Sequence, residues 1–139
     1  MRIYEILEAV NREKDPVKKV EILQNNDSRG LRYILQAGYD TNVVSVLPEG
    51  EPPFTPNKTP DKAMNIDDIA DQLPQFFKFG PVHKNIMQRE NKFISLLSAV
   101  HPRDADVLIR MKDRKIQNRY KGVTKAAVTE FLNDTVKIA

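Results

Sequence analysis

The chain has 139 residues, of which 40% are hydrophobic, and this length and composition predict one globular domain with its own core. It contains no cysteine, which excludes disulfide bonds, thiolate metal sites and cysteine nucleophiles. No apolar run approaches the roughly 20 residues of a membrane-spanning helix, and Glu5 and Glu8 interrupt the first apolar stretch. We therefore expect neither a membrane partner nor a signal peptide.

The net charge is only +3, but the charged residues are unevenly distributed along the chain. Residues 40–75 carry two basic and seven acidic side chains, whereas residues 82–121 carry ten basic and four acidic ones. This asymmetry favours one face that meets an anionic partner. The alternative is that the basic residues only solvate a helix.

Residues 1–38 predict three short helices joined by tight turns. Asp15-Pro16 is the clearest start signal, because the aspartate can accept from the free amides of a helix and proline suits its first turn. Asp27 or Ser28 can cap the third helix, and Gly38 is expected to end it in a left-handed conformation. The residues expected to face the core are Ile3, Ile6, Leu7, Val10, Val17, Val20, Leu23, Leu31, Ile34 and Leu35.

Residues 39–81 have a different composition, with seven of the nine prolines between Pro48 and Pro81. The stretch 47–56 cannot form a regular helix or a central strand. We expect an extended loop that Leu47 and Phe54 attach to the helices. It is either a structural crossover across the core or a partner-binding surface. A short acidic helix capped by Asn65 follows, and then three aromatic residues expected in the core: Phe76, Phe77 and Phe79.

Residues 82–132 predict a helical hairpin, a basic segment and a last helix. His101-Pro102 separates the two hairpin helices, because proline disfavours helical geometry in the preceding residue but fits the first turn of a new helix. A turn at Gly122 precedes a helix capped by Thr124. The apolar face of the hairpin consists of Ile86, Phe93, Ile94, Leu97, Val100, Ala105, Leu108 and Ile109.

All predicted elements are helical, so we expect an all-α fold. The predicted organisation is one compact multi-helix domain over residues 1–139. It comprises N-terminal helices (1–38), a Pro-rich acidic crossover (39–81) and C-terminal helices (82–132).

Motifs for catalysis or metal binding are scarce. The five glycines are scattered singly, so there is no phosphate-binding loop. His83 and His101 lack a second ligand at metal-binding spacing. Asp67, Asp68 and Asp71 share a helical face and could hold a hard cation, but such clusters more often complement a helix N-terminus. We expect no enzymatic activity, cofactor, metal or small-molecule substrate.

Two stretches resemble the N-terminal DNA-binding domain of the ATP-dependent DNA ligases of T-even-type phages. The first runs from Ile6-Leu7 through Lys18-Lys19 and Ile22-Leu23-Gln24 to Leu31-Arg32-Tyr33, and the second covers residues 104–113, the turn at Gly122 and the helix from Thr124. The resemblance implies a helical domain that clasps duplex DNA with basic side chains. These 139 residues lack the Lys-x-Asp-Gly motif of ligases, so we expect no adenylation or sealing.

The whole chain also resembles a family of small uncharacterised proteins of tailed, myovirus-type phages. The matching stretches are residues 47–57, Arg89-Glu90 through Phe93-Ile94 and Leu97, and Tyr120-Lys121-Gly122. This resemblance implies the cytoplasm of an infected host cell, or the virion, as the location. It implies no known activity.

The leading hypothesis is a non-catalytic protein that binds the phosphate backbone of duplex DNA without reading its sequence. It requires the acidic segment 40–75 to point away from the DNA. The alternatives are an interaction module for a host or phage protein, which the Pro-rich loop favours, and a small virion component. The predicted DNA-binding residues are Lys112, Arg114, Lys115, Arg119, Lys121, Arg29 and Arg32.

Overall fold

The computed structural model describes residues 1–78 and 85–138, with side chains through Asn133. These residues form an all-α fold, as predicted, in which the only β-structure described is two isolated bridges. None of the described helices is long and apolar enough to cross a membrane. The helices are α1 (Ile3–Arg12), α2 (Pro16–Asn25), α3 (Arg29–Tyr39), α4 (Ile66–Ile69), α5 (Ile86–Ala99), α6 (Pro102–Asp113), α7 (Ile116–Arg119) and α8 (Lys125–Ile138).

Side chains cap the helix N-termini that the sequence predicts. Asp15 accepts a hydrogen bond from the Val17 amide at 2.9 Å, and Ser28 accepts one from the Leu31 amide at 3.1 Å. These bonds satisfy amides that have no partner within the helix. The His101 imidazole caps α6 by accepting from the Arg103 amide at 3.0 Å.

Helix α3 is the central element, since it packs against α4, α6 and α8. Leu31, Ile34 and Leu35 on α3 are fully buried. Gly38 does not end α3 in a left-handed conformation, so that prediction was wrong: the helix continues to Tyr39. A Cβ atom on Gly38 would collide with Ile116, so glycine here allows α7 to pack closely against α3.

Two further predictions of core positions were wrong. Val17 is 65% exposed and Ile86 is 60% exposed. Each lies in the first turn of its helix. Phe76 and Phe77 are buried as predicted, and Phe76 meets Phe93 edge to face. Phe79 and His83 lie outside the described residues.

Residues 48–59 form neither helix nor strand. Leu47 is buried, and Phe54 is half-buried against the core. The Lys112 ammonium group near the end of α6 donates to the carbonyls of Pro48 and Gly50, at 2.8 and 3.0 Å. Asn57 donates to the Ala99 carbonyl at the other end of the α5–α6 hairpin. The segment therefore follows the hairpin from its open end towards its closed end.

A carboxyl group is buried where α1 meets α6. Asp104 is fully buried, and its Oδ1 accepts from the Tyr4 amide in the first turn of α1 at 2.9 Å. Its Oδ2 has no hydrogen-bond partner. Burial disfavours the charged form and raises the pKa of Asp104 to about 6, although the Tyr4 amide opposes the shift.

Asp104→Asn should change the pH dependence of stability. Below about pH 4 the acid is protonated in both the folded and unfolded states; between about pH 4 and 6 the unfolded state loses its proton first. The wild type therefore loses stability as the pH rises through this window, whereas asparagine does not titrate. Urea unfolding from pH 4 to 7 should show the variant gaining up to roughly 3 kcal/mol relative to wild type. A difference in unfolding free energy that stays constant with pH would contradict this assignment.

Candidate nucleic-acid interface

In the structure, Lys112 is buried, although it is one of the residues predicted to contact phosphate. Its side chain is 1% exposed, and besides the two loop carbonyls its Nζ binds Asp113 Oδ1 at 2.6 Å. An ammonium group with three internal oxygen partners and no access to solvent cannot reach a phosphate in this conformation. A DNA contact by Lys112 stays a prediction, and in this structure the residue attaches the Pro-rich segment to α6.

Three other predicted residues around α7 are partly engaged within the protein. Arg114 adopts a left-handed conformation at the end of α6, with φ of 55°, and donates to the Thr41 carbonyl at 2.8 Å. Lys115 binds Glu49 at 2.6 Å, and this hydrogen bond and the Glu49 charge raise the pKa of Lys115. The Nε atom of Arg119 lies 3.8 Å from Oδ2 of Asp106. All three remain exposed.

The contact between Lys115 and Glu49 also bears on the acidic segment. The DNA hypothesis requires residues 40–75 to point away from the basic residues. Glu49 instead lies directly against Lys115, and the Gly50 amide donates to Asp113. At residues 49–50 the requirement is not met, so a phosphate approaching Lys115 would also approach a carboxylate.

Arg29 and Arg32 lie at the opposite end of α3 from the end that contacts α7. Gly30, beside Arg29, donates its amide to Asp67 of α4 at 2.6 Å, which places this end next to the acidic helix. Arg32 forms a two-pronged ion pair with Asp27, and its guanidinium lies 4.7 Å from the centre of the Phe131 ring. The structure therefore does not bring these two arginines together with the residues of α7.

Asp67 and Asp68 have structural partners. Asp67 provides the carboxylate at the start of α3, and Asp68 accepts from the Asn65 amide in a capping box. Both contacts complement helix N-termini. No group of three or more potential metal ligands occurs in the described part of the chain.

A second group of exposed cations lies where two turns that are far apart in the sequence come into contact. The Gly122 amide donates to Asn11 Oδ1 at 2.7 Å, and a Cβ atom on Gly122 would collide with the Asn11 backbone. The turn after α1 and the turn before α8 are therefore in direct contact. We define the basic corner as the exposed cations that lie within seven residues of this contact and do not face Glu49 or Asp106. They are Arg12, Lys14, Lys18, Lys121 and Lys125.

A buried lysine holds the basic corner together. Lys19 is 7% exposed, and its Nζ donates to the Val10 carbonyl at 2.9 Å and to the Gly122 carbonyl at 2.6 Å. The chain from Arg114 to Thr129 contains no acidic residue, so Lys121 and Lys125 have no carboxylate next to them in the sequence. Glu13 and Asp15 lie on the other side, where each accepts a hydrogen bond from a nearby backbone amide.

Residues 6–118 match the model of DUF6433, a family of unknown function. The chain belongs to the DUF6433 family. No curated protein and no solved structure matches it significantly. The DUF6433 match includes Lys19 and Lys112 but ends before Lys121 and Lys125.

Sequence reasoning found one residue of the basic corner, Lys121, and missed the other four. Arg12, Lys14 and Lys18 lie in a part of the chain whose basic and acidic residues nearly balance. Lys125 lies beyond residues 82–121, in which basic residues outnumber acidic ones. The contact that brings the two turns together joins residues 111 positions apart, and neither turn contains a motif that indicates the other.

Lys112→Met should destabilise the protein by roughly 2–4 kcal/mol, because it leaves two loop carbonyls and Asp113 without their buried partner. Lys115→Met is the matched control, since it removes the same charge three residues away from an exposed side chain. We expect little change from the control. Urea denaturation at pH 7 measures both. Equal effects of the two substitutions would contradict a structural role for Lys112.

Proposed function

We propose that the chain binds the phosphate backbone of duplex DNA, without base specificity, through the basic corner. The observation that carries the proposal is the contact between Asn11 and Gly122, which unites cations from two separate segments. The resemblance of residues 6–33 and 104–113 to a ligase DNA-binding domain supports the same function.

The chemistry of the corner suits phosphate contacts. Its cations are exposed, and the only ion pair that the described contacts give any of them is the 3.9 Å pair between Arg12 and Glu8. A surface pair of that length contributes little and can exchange with a phosphate. Lysine acts as a point charge on long, mobile methylene stems, which fits contacts that position a protein on DNA without reading bases.

Hydrogen bonds fix the backbone of the two turns at the basic corner. Lys19 binds the end of α1 and the Gly122 carbonyl, while Asn11 accepts from the Gly122 amide. Binding therefore orders only side chains and not the backbone turns, which keeps the entropic cost low. By contrast, Lys115 and Arg119 would have to leave Glu49 and Asp106 to contact DNA.

Affinity for duplex DNA should fall with salt, because each cation that touches a phosphate releases condensed counterions. Five contacts give a log–log slope of about −4 to −5. Lys121→Ala combined with Lys125→Ala should reduce the slope by about two and weaken binding to all sequences alike. Gel-shift or fluorescence anisotropy titrations between about 50 and 200 mM salt would measure this.

Lys58→Ala combined with Lys62→Ala is the control, since it removes two exposed lysines from the middle segment and should leave the slope unchanged. Lys115→Ala combined with Arg119→Ala should have a smaller effect than the corner variant, because both side chains already face carboxylates. No binding by the wild type at about 50 mM salt, where electrostatic binding is favoured, would refute the proposal. If the Lys115 and Arg119 double variant reduced the slope more than the corner variant, the DNA interface would lie at α7 instead.

A further inference from the structure

A small cavity lies between the start of the Pro-rich segment and the α5–α6 hairpin. Its volume is about 190 Å³. Leu47 and Phe93, both buried, provide apolar surface, and Pro48 and Pro52 form part of the wall. Ligand pockets for drug-sized molecules are about 300–1,000 Å³. This cavity is therefore too small for a nucleotide and of a size to receive one side chain.

The rim of the cavity is acidic. Glu49 and Glu51 are exposed on the loop, and Glu90 contributes a third carboxyl group from α5. Lys112 also lines the cavity, but Asp113 pairs with its charge at 2.6 Å. Lys115, which is not part of the lining, binds Glu49 while its side chain stays 48% exposed. The rim thus carries more negative charge than its own lysines neutralise.

The wall is also preformed. Proline restricts the backbone of the loop, and the Lys112 ammonium holds the Pro48 and Gly50 carbonyls in place. A partner entering the cavity would not have to order this loop first, so less of the binding energy is lost. An apolar interior with an acidic rim fits a side chain that has a long methylene stem and a cationic tip.

We propose that this cavity receives a lysine or arginine side chain from a basic segment of a partner protein, with its stem against Leu47 and Phe93 and its charge at the glutamates. Lys115 on Glu49 shows that the rim already attracts an ammonium group from the chain itself. The incoming side chain competes with Lys115 for Glu49. This surface is distinct from the basic corner and does not depend on DNA binding.

The test uses three peptides, acetyl-Gly-Gly-X-Gly-Gly-amide, in which X is lysine, 2,3-diaminopropionic acid or norleucine. Each is titrated into the full ¹⁵N-labelled chain while its backbone amides are followed by NMR. The lysine peptide should shift the amides of residues 47–52 and 90–93 saturably. It should bind at least about tenfold more tightly than the other two, because one lacks the stem and the other the charge.

Substitutions in the protein then test whether the lysine peptide binds at this cavity. Lys115→Met should tighten binding of the lysine peptide several-fold, because it removes the competing ammonium group from Glu49. Glu51→Gln combined with Glu90→Gln should weaken it, whereas Glu21→Gln combined with Glu130→Gln, which removes two exposed carboxylates elsewhere, should not. A gain of affinity cannot result from a variant that fails to fold.

Three results would overturn the proposal. One is the absence of saturable shifts at these amides up to about 10 mM peptide, beyond the millimolar affinity of a weak single contact. The second is equal affinity for the lysine and diaminopropionic acid peptides, which would mean that the rim attracts any cation and the cavity holds no stem. The third is a shift at these amides that depends on protein concentration alone, which would make the occupant a second copy of the chain.

Discussion

The close packing of α3 against its neighbours is the constraint on which the rest of the structure depends. Its buried leucines and isoleucine face the core, while Gly30 and Gly38 let Asp67 and Ile116 approach its two ends. A Cβ atom at Gly30 would crowd both the side chain and the backbone of Asp67, whereas one at Gly38 would require the Ile116 side chain to move. The central helix therefore fixes the acidic helix α4 at one end and the basic helix α7 at the other. It keeps the acidic residues of α4 apart from the basic residues around α7.

Two buried lysines perform the same structural task in different places. Lys19 joins the two turns of the basic corner, and Lys112 joins the Pro-rich segment to α6. Each places an ammonium group on backbone carbonyls that would otherwise lack a donor, which is the condition under which a buried charge is tolerated. The sequence analysis predicts that Lys112 binds an anion, whereas the fold uses both lysines for internal contacts.

Local physics made much of the fold predictable from the sequence. Caps such as Asp15 and Ser28 act over two or three residues, so reading the chain in order is enough to place them. Apolar spacing predicts burial wrongly in the first turn of a helix. Val17 and Ile86 fit the helical period, but no described residue covers the first turns in which they lie. The candidate site was less predictable, because the burial of Lys112 depends on a contact across 64 residues and the meeting of Asn11 with Gly122 on one across 111 residues.

The same long-range contacts bear on how quickly the chain can fold. The Tyr4 amide finds its acceptor 100 residues later at Asp104, and Asn11 meets Gly122 after 111 residues. Helical proteins usually fold fast because their contacts are local, and each distant contact adds a loop-closure cost before any stabilisation is gained. Helix α1 can pack against α2, its neighbour in sequence, but its contacts with α6 and with the turn before α8 need residues about 100 positions away. The apolar face of α1 is therefore only partly covered by local packing, and the rest of its contacts must wait for the distant residues to come together.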